Sequence, residues 1–142
     1  MRKHYPVIAF VCIAISAVMV STNVLGHGDV QPQPVDTTGL EPLGEWRTEN
    51  PYSTDNNRAV EIGQVGYTKN CARCHGLEAV SGGLAPDLRE LQPGAEDDEW
   101  YIGIVREGFF QNGVPKMPPF EGILNQEAMW AIRTWLETRP KE

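Results

Sequence analysis

Apolar residues recur at three- and four-residue steps in three segments of the chain, and this spacing predicts three amphipathic helices. The segments are residues 58–74, 97–110 and 125–139. No segment alternates between apolar and polar residues as a half-buried strand would. The long intervals Gly76–Glu96 and Phe110–Leu124 are rich in glycine and proline and are expected to be loops. The pattern therefore predicts an all-α fold of three to four short helices and long loops.

Residues that cap or end helices flank these segments. Polar residues at Ser53–Asn57 precede the first helix, Asp97 or Asp98 is expected to cap the second, and Gly108 lies near its end. The residues predicted to form the buried faces are Val60 or Ile62, Val65, Tyr67 and Cys71 in the first helix, Trp100, Ile104 and Val105 in the second, and Met129, Ile132, Trp135 and Leu136 in the third.

Two glycines lie inside the first predicted helix, at Gly63 and Gly66. Glycine in a helix interior costs about 1 kcal/mol relative to alanine. A compensating reason is therefore expected, and the close approach of another helix is the one that the sequence favours.

The first 26 residues have the pattern of a secretory signal peptide. Arg2 and Lys3 precede an apolar run, Val7–Val20, whose 14 residues are short for a bilayer span. Small and polar residues follow, and cleavage after Gly26 would leave His27 at the new N-terminus. The alternative is an uncleaved membrane anchor. The signal-peptide interpretation predicts a periplasmic protein without stable membrane insertion after cleavage.

The exported part divides into an arm and a domain. Residues 27–58 contain four prolines and many small polar residues, which indicates an extended arm with turns. Trp46 and Tyr52 are expected to anchor this arm against the domain. Residues 59–142 carry the helical patterns and are predicted to form that domain.

The balance of charge is acidic, with 12 lysines and arginines against 19 aspartates and glutamates. Removal of residues 1–26 takes away two of the basic residues and leaves 10 against 19, a net charge of −9. Such a surface makes nucleic acid an improbable class of partner and favours basic docking partners.

Cysteines point to the chemistry of the chain. Cys12 lies inside the predicted signal peptide, so Cys71 and Cys74 are the cysteines of the exported chain, followed directly by His75. Zinc would need four ligands, and His27 is the one remaining histidine of the exported chain. A redox-active dithiol normally opens a helix after a strand, whereas this pair is expected to close one. Both alternatives are disfavoured.

Covalently bound haem c accounts for the whole motif. Two intervening residues let the sulfurs of Cys71 and Cys74 reach two vinyl groups of one porphyrin, and the imidazole of His75 then reaches the iron from the same side. One haem would also supply the core that three short helices lack.

Two further residues are candidates for the same site. Met117 lies 42 residues after His75 in a proline-rich loop, where core packing gives no reason for a methionine, so it is the predicted second axial ligand. The turn before Pro86 contains two glycines, and the Pro86 carbonyl is a candidate acceptor for the Nδ1 proton of His75. An ordinary turn is the alternative for Pro86.

These residues resemble class I c-type cytochromes across roughly Val60–Arg139, and the stretches that carry the resemblance are CARCHG, APDL, KMPPF and AMWAIRTWL. The resemblance implies that the first and last helices cross, with Gly63 and Tyr67 opposite Ile132 and Trp135. A closer likeness, which includes the arm HGDVQPQPVDTTGL, is to the PedF-type periplasmic cytochromes c that serve alcohol dehydrogenases dependent on pyrroloquinoline quinone (PQQ).

The resemblance implies an electron carrier and not an enzyme. With His75 and Met117 both bound to iron, no coordination site remains for a substrate. The implied donor is a PQQ-dependent alcohol dehydrogenase, and the implied acceptor is a downstream cytochrome or a terminal oxidase. The alternatives are a general respiratory carrier without that donor, or a five-coordinate gas sensor or peroxidase if Met117 is not a ligand.

Overall fold

A computed structural model describes residues 31–141 of the chain. The predicted signal peptide, Cys12, His27 and the start of the arm lie outside the described residues. Between residues 31 and 141, no helix is both long enough and apolar enough to cross a membrane.

Four α-helices form the framework of the domain, and two single 3₁₀ turns and one small hairpin connect them. The helices are α1 (Asn57–Asn70), α2 (Ala72–His75), α3 (Ala95–Glu107) and α4 (Gln126–Glu137), the 3₁₀ turns are Leu77–Ala79 and Leu88–Glu90, and the antiparallel strands are β1 (Phe109–Gln111) and β2 (Val114–Met117). The helical prediction is confirmed, but the interval Phe110–Leu124, predicted to be a loop, contains most of the hairpin.

The crossing of α1 and α4 is the largest helix contact and follows the predicted residues. Gly63 and Gly66 lie directly against α4, next to Ala131 and Ile132 respectively. The rings of Tyr67 and Trp135 pack with centroids 4.5 Å apart. The absence of side chains at the two glycines allows the helices to approach, so the expected reason for both glycines is confirmed.

Helix α4 is buried on all sides rather than along one stripe. Its predicted face of Met129, Ile132, Trp135 and Leu136 is buried, and so are Arg133 and Thr134, which the spacing did not assign to that face. The helix begins after Asn125, whose side chain accepts a hydrogen bond from the Ala128 amide at 2.9 Å. It therefore acts as the central support of the domain.

Helix α3 begins earlier than predicted, and its inward face is different. Gly94 precedes the helix, so neither Asp97 nor Asp98 is its cap. Asp98 is instead buried against α4, because it pairs with Arg133. Trp100, predicted to be buried, is half-exposed, whereas Tyr101 and Ile102 take the buried positions next to Val105. In α1, the predicted core residue Val65 is likewise exposed.

The hairpin carries a turn signal that the sequence analysis missed. Asn112 and Gly113 join the strands with φ angles of 53° and 75°. An Asn-Gly pair with positive φ at both residues is the preferred two-residue hairpin turn. The register shifts by one residue between Phe109 and Phe110, which pair with Met117 and Pro115, so Lys116 is the extra residue of a bulge.

The described part of the arm lies against the domain, as expected, and polar contacts as well as the two aromatic residues join it there. Trp46 is 42% exposed and lies beneath the guanidinium of Arg106, 4.1 Å from the ring centroid. Tyr52 packs at the edge of the core. The polar contacts join the arm to α1, α3 and α4 through Gln33–Asn70, Leu43–Glu127, Arg47–Gln126, Asn50–Asp98 and Asn50–Thr134.

Candidate functional site

One helical turn brings the three side chains of the cysteine motif together. The amides of Cys74 and His75 both donate to the Cys71 carbonyl, at 3.1 and 3.0 Å. Residues three and four apart in a helix share a face. Cys71, Cys74 and His75 consequently face the same cavity.

This cavity has a volume of about 400 Å³ and lies between the cysteine motif, α3, the hairpin and the loop around Pro86. Its walls are chiefly apolar and include Leu88, Ile104, Val105, Phe109, Phe120, Leu124 and Ile132. Met117 and Pro86 also line it, so the structure brings all five sequence-predicted site residues to one cavity.

The imidazole of His75 is buried and oriented by a backbone carbonyl. Its Nδ1 lies 2.8 Å from the Pro86 oxygen, the acceptor that the sequence singled out. A carbonyl oxygen can only accept, so Nδ1 carries the proton. The lone pair of the neutral ring is then on Nε2, which is the protonation state that a metal-ligating histidine needs.

The opposite wall of the cavity comes from the hairpin and the loop after it. Met117 ends strand β2, and the bulge at Lys116 lets two consecutive residues, Lys116 and Met117, line the cavity. The amide of Phe120 donates to the Val105 carbonyl at 3.0 Å and fixes the Met117 loop to α3.

Cys71 does not have the property that a redox-active pair needs. Burial, and to a smaller extent the neighbouring Cys74, raise the pKa of the Cys71 thiol to about 12. A reactive dithiol needs a thiolate, and therefore a lowered pKa. A structural zinc site needs four ligands. In the described part of the chain, no group of even three His, Cys, Asp or Glu side chains is arranged to hold a metal ion.

Behind the cavity wall lies a buried polar network that the sequence did not reveal. The hydroxyl of Tyr101, a lining residue, donates to the Met129 carbonyl at 2.9 Å, and burial raises its pKa well above the usual value. Arg133, fully buried, pairs with Asp98 at 2.8 Å and with Glu137 at 3.6 Å. Spacing gives no signal for this pairing, because Asp98 and Arg133 lie 35 residues apart.

The residues around the cavity fit an iron porphyrin attached through cysteines. Two thiols, one imidazole with a free Nε2 and one thioether are the donors that such a group requires. The apolar walls suit a flat apolar ring system. The donor set and the shape of the cavity thus agree.

Known proteins that are similar to this chain include cytochromes, which agrees with a haem site in the cavity. Residues 58–136 match the family model described as cytochrome c oxidase, cbb3-type, subunit III. The cytochrome c550 of Pseudomonas aeruginosa strain PAO1 is 52% identical over 130 residues, which cover 89% of this chain and 90% of that protein.

Two further similarities extend the comparison. The quinohemoprotein alcohol dehydrogenase ADH-IIG of Pseudomonas putida is 36% identical over 100 residues, which cover 70% of this chain and 13% of the enzyme. The solved structure of that enzyme from strain HK5 superposes with a TM-score of 0.52, covering 70% of this chain and 14% of that one. Cytochrome cL of Methylophaga aminisulfidivorans shares the fold, with a TM-score of 0.51, 18% identity and 73% of each chain covered.

Proposed function

Because the chain belongs to the cytochrome c family, we propose that it accepts single electrons from a PQQ-dependent alcohol dehydrogenase in the periplasm and delivers them to a downstream cytochrome or terminal oxidase. Membership of the family establishes the coarser description: the protein is a monohaem electron carrier and not an enzyme, and it binds haem c covalently. The proposal adds four points: the electron donor, the direction of electron transfer, the compartment and the role of each site residue.

In this proposal Cys71 and Cys74 hold the haem through thioether bonds, and His75 and Met117 are its axial ligands. The haem, when bound, supplies one-electron redox chemistry. Met117 contributes a soft thioether, which favours the reduced state, and the apolar walls exclude water and disfavour the extra charge of the oxidised state. Both effects raise the reduction potential.

One observation carries the assignment of these residues. Cys71, Cys74, His75 and Met117 line the same cavity, although Met117 comes from a different segment of the chain. The hydrogen bond from His75 Nδ1 to the Pro86 carbonyl leaves Nε2 free, which supports the proposed role of His75 as a ligand. The cavity therefore offers two thiols, one imidazole and one thioether, the set that the proposal needs.

Support for the donor comes from the similarity to ADH-IIG. This chain spans about 13% of that enzyme, whose name combines a quinone, a haem and an alcohol dehydrogenase. Within the proposal, the matched segment is the haem-carrying part of the enzyme. The present chain would accept electrons as a separate protein, as that part does when it is fused to the dehydrogenase. The acidic surface of the carrier would meet a basic patch on the donor.

The donor is tested with purified components. The oxidised protein is mixed with a purified PQQ-dependent alcohol dehydrogenase and ethanol, without another acceptor, and its reduction is followed by absorbance. Rapid reduction that needs ethanol and slows as salt rises is expected. Samples without ethanol, or without the dehydrogenase, are the controls. Absence of reduction would contradict the proposed donor and favour a general respiratory carrier.

The ligands are tested with two methionine variants. Met117→Ala is expected to lose the weak charge-transfer band of thioether-ligated oxidised iron and to become high-spin. Met129→Leu is the matched control, because Met129 is fully buried in α4 and does not line the cavity. If the parent protein lacks the band and is high-spin, Met117 is not a ligand, and the interpretation as a five-coordinate sensor or peroxidase gains support.

A further inference from the structure

The loop that presents the Pro86 carbonyl is organised by two side chains, Ser81 and Asp87. The hydroxyl of Ser81 donates to the Ala85 carbonyl at 2.5 Å and accepts from the Gly83 amide at 3.0 Å. The Ser81 amide donates to Asp87 Oδ2 at 3.3 Å. These bonds close residues 81–87 into a small ring, which is called the Ser81–Asp87 loop below.

A second set of bonds fixes the far end of the loop. Asp87 Oδ1 accepts from the Arg89 amide at 3.0 Å, and its carboxylate pairs with the Arg89 guanidinium at 2.8 Å. The side chains of Asp87 and Arg89 are 19% and 12% exposed, so this ion pair is largely shielded from water. Hydrogen bonding from Arg89 holds the pKa of Asp87 well below its usual range. The carboxylate is therefore charged and engaged at neutral pH.

The direction of the Pro86 carbonyl depends on these bonds. The proline ring fixes the φ angle of Pro86, and its ψ angle then sets where the carbonyl points. Ser81 holds the peptide group before Pro86 through the Ala85 carbonyl. On the other side of Pro86, the hydrogen bond between the Asp87 side chain and the Arg89 amide holds Asp87 in place. Among residues 31–141, apart from the adjacent residues of the chain, no atom lies within 4 Å of a Cβ position at Gly82 or Gly83, so packing does not fix this part of the loop.

We propose that Ser81 and Asp87 are positioning residues for the axial histidine: they aim the Pro86 carbonyl at His75 Nδ1 and so set the orientation and electron donation of the imidazole. This inference rests on the proposed role of His75 as an iron ligand. A well-directed Nδ1–H bond makes the ring a stronger donor, which stabilises the oxidised state and lowers the reduction potential. The Ser81–Asp87 loop thus opposes the potential-raising effect of Met117.

Two substitutions separate positioning from charge. Ser81→Ala removes one hydroxyl and changes no charge, and Asp87→Asn removes the charge and the Arg89 ion pair. Glu90→Gln is the matched control, because it removes one negative charge from an exposed residue in the neighbouring 3₁₀ turn. Ser81→Thr keeps a hydroxyl and tests rescue.

The readouts are the exchange rate of the His75 Nδ1 proton, measured by NMR on the reduced holoprotein, and the reduction potential. In Ser81→Ala and Asp87→Asn this proton should exchange with water roughly fivefold faster or more, because its hydrogen bond is weakened. The reduction potential of both variants should rise. Glu90→Gln and Ser81→Thr should exchange it at the parent rate.

The outcomes distinguish this inference from the proposed function. In the parent protein, strongly shifted His75 ring resonances report that the ring lies over the haem; their absence would contradict the ligand assignment itself. If those resonances are present but Ser81→Ala exchanges its Nδ1 proton no faster than Glu90→Gln does, the positioning role is wrong while the ligand remains. The reduction potential gives a second test. If it rises equally in Asp87→Asn and Glu90→Gln but does not change in Ser81→Ala, the rise is due to the lost charge and the inference is overturned.

Discussion

Substitution of Gly63 by alanine is the sharpest test of the helix crossing. A Cβ atom at Gly63 would lie 1.9 Å from the Ala131 carbonyl oxygen and 2.8 Å from the Cβ of Trp135. Both obstacles are backbone or the first side-chain atom, so no rotamer change removes them. The two helices have to move apart instead.

The size of the effect follows from that displacement. Ordinary contact begins near 3.4 Å, so the Ala131 oxygen has to retreat by about 1.5 Å. Overpacking a well-filled interface costs about 1–3 kcal/mol, and a clash with rigid backbone belongs at the upper end. Alanine in place of glycine returns about 1 kcal/mol of helix propensity. The free energy of unfolding should therefore fall by about 2 kcal/mol.

Guanidinium unfolding of the holoprotein, followed by circular dichroism, measures this change. Gly103→Ala is the matched control. Gly103 also lies inside a helix, α3, but no atom outside that helix, in the part of the chain that the structure describes, lies within 4 Å of its Cβ position. That variant should gain up to about 1 kcal/mol. Equal behaviour of the two variants would refute the argument that steric contact, and not propensity, fixes Gly63.

Three other predictions concern polar groups. Tyr67→Phe removes a 2.7 Å hydrogen bond to the Gly76 carbonyl and should lower the free energy of unfolding by about 1 kcal/mol; an unchanged unfolding midpoint would contradict this. Arg133→Met leaves the buried Asp98 without its cationic partner and should lower the free energy of unfolding by about 3–5 kcal/mol. Adding Asp98→Asn in the same chain should restore most of this loss, and a fully stable Arg133→Met variant would be the contrary result. Because the pKa of Asp87 is lowered, the stabilising effect of its carboxylate is present above about pH 4 and is lost as the pH falls further. The difference in free energy of unfolding between the parent and Asp87→Asn should therefore narrow in acid. A difference independent of pH would argue against the ion pair.

The parts of the fold that the sequence predicts are those decided by neighbours along the chain. The start of α1 after Asn56, the start of α4 after Asn125 and the end of α3 at Gly108 all depend on local capping chemistry. The cysteine motif is equally local, because one helical turn suffices to align Cys71, Cys74 and His75.

The parts that sequence patterns misplaced depend on contacts between distant segments. Trp100 has the spacing of a core residue, but it lines the cavity and stays half-exposed, whereas Asp98 of the same helix is buried against Arg133 on α4. That pair has no sequence signal, since a buried aspartate looks like a solvated helix start until its partner is known. The hairpin could have been predicted from the turn sequence Asn112–Gly113. The local bond of Asp87 could also have been predicted, because an aspartate often accepts a hydrogen bond from the amide two residues later, here that of Arg89.

The two proposed axial ligands are held on separate segments, and α4 is their common support. His75 ends α2, and α2 follows directly on α1, which crosses α4 at Gly63. Met117 is fixed to α3 through the Phe120–Val105 hydrogen bond, and α3 is joined to α4 by the ion pair of Asp98. The separation of the two ligands therefore depends on how both helices pack on α4. A haem protein with one weak thioether ligand needs that separation to be rigid, and burial of α4 on every side provides the rigidity.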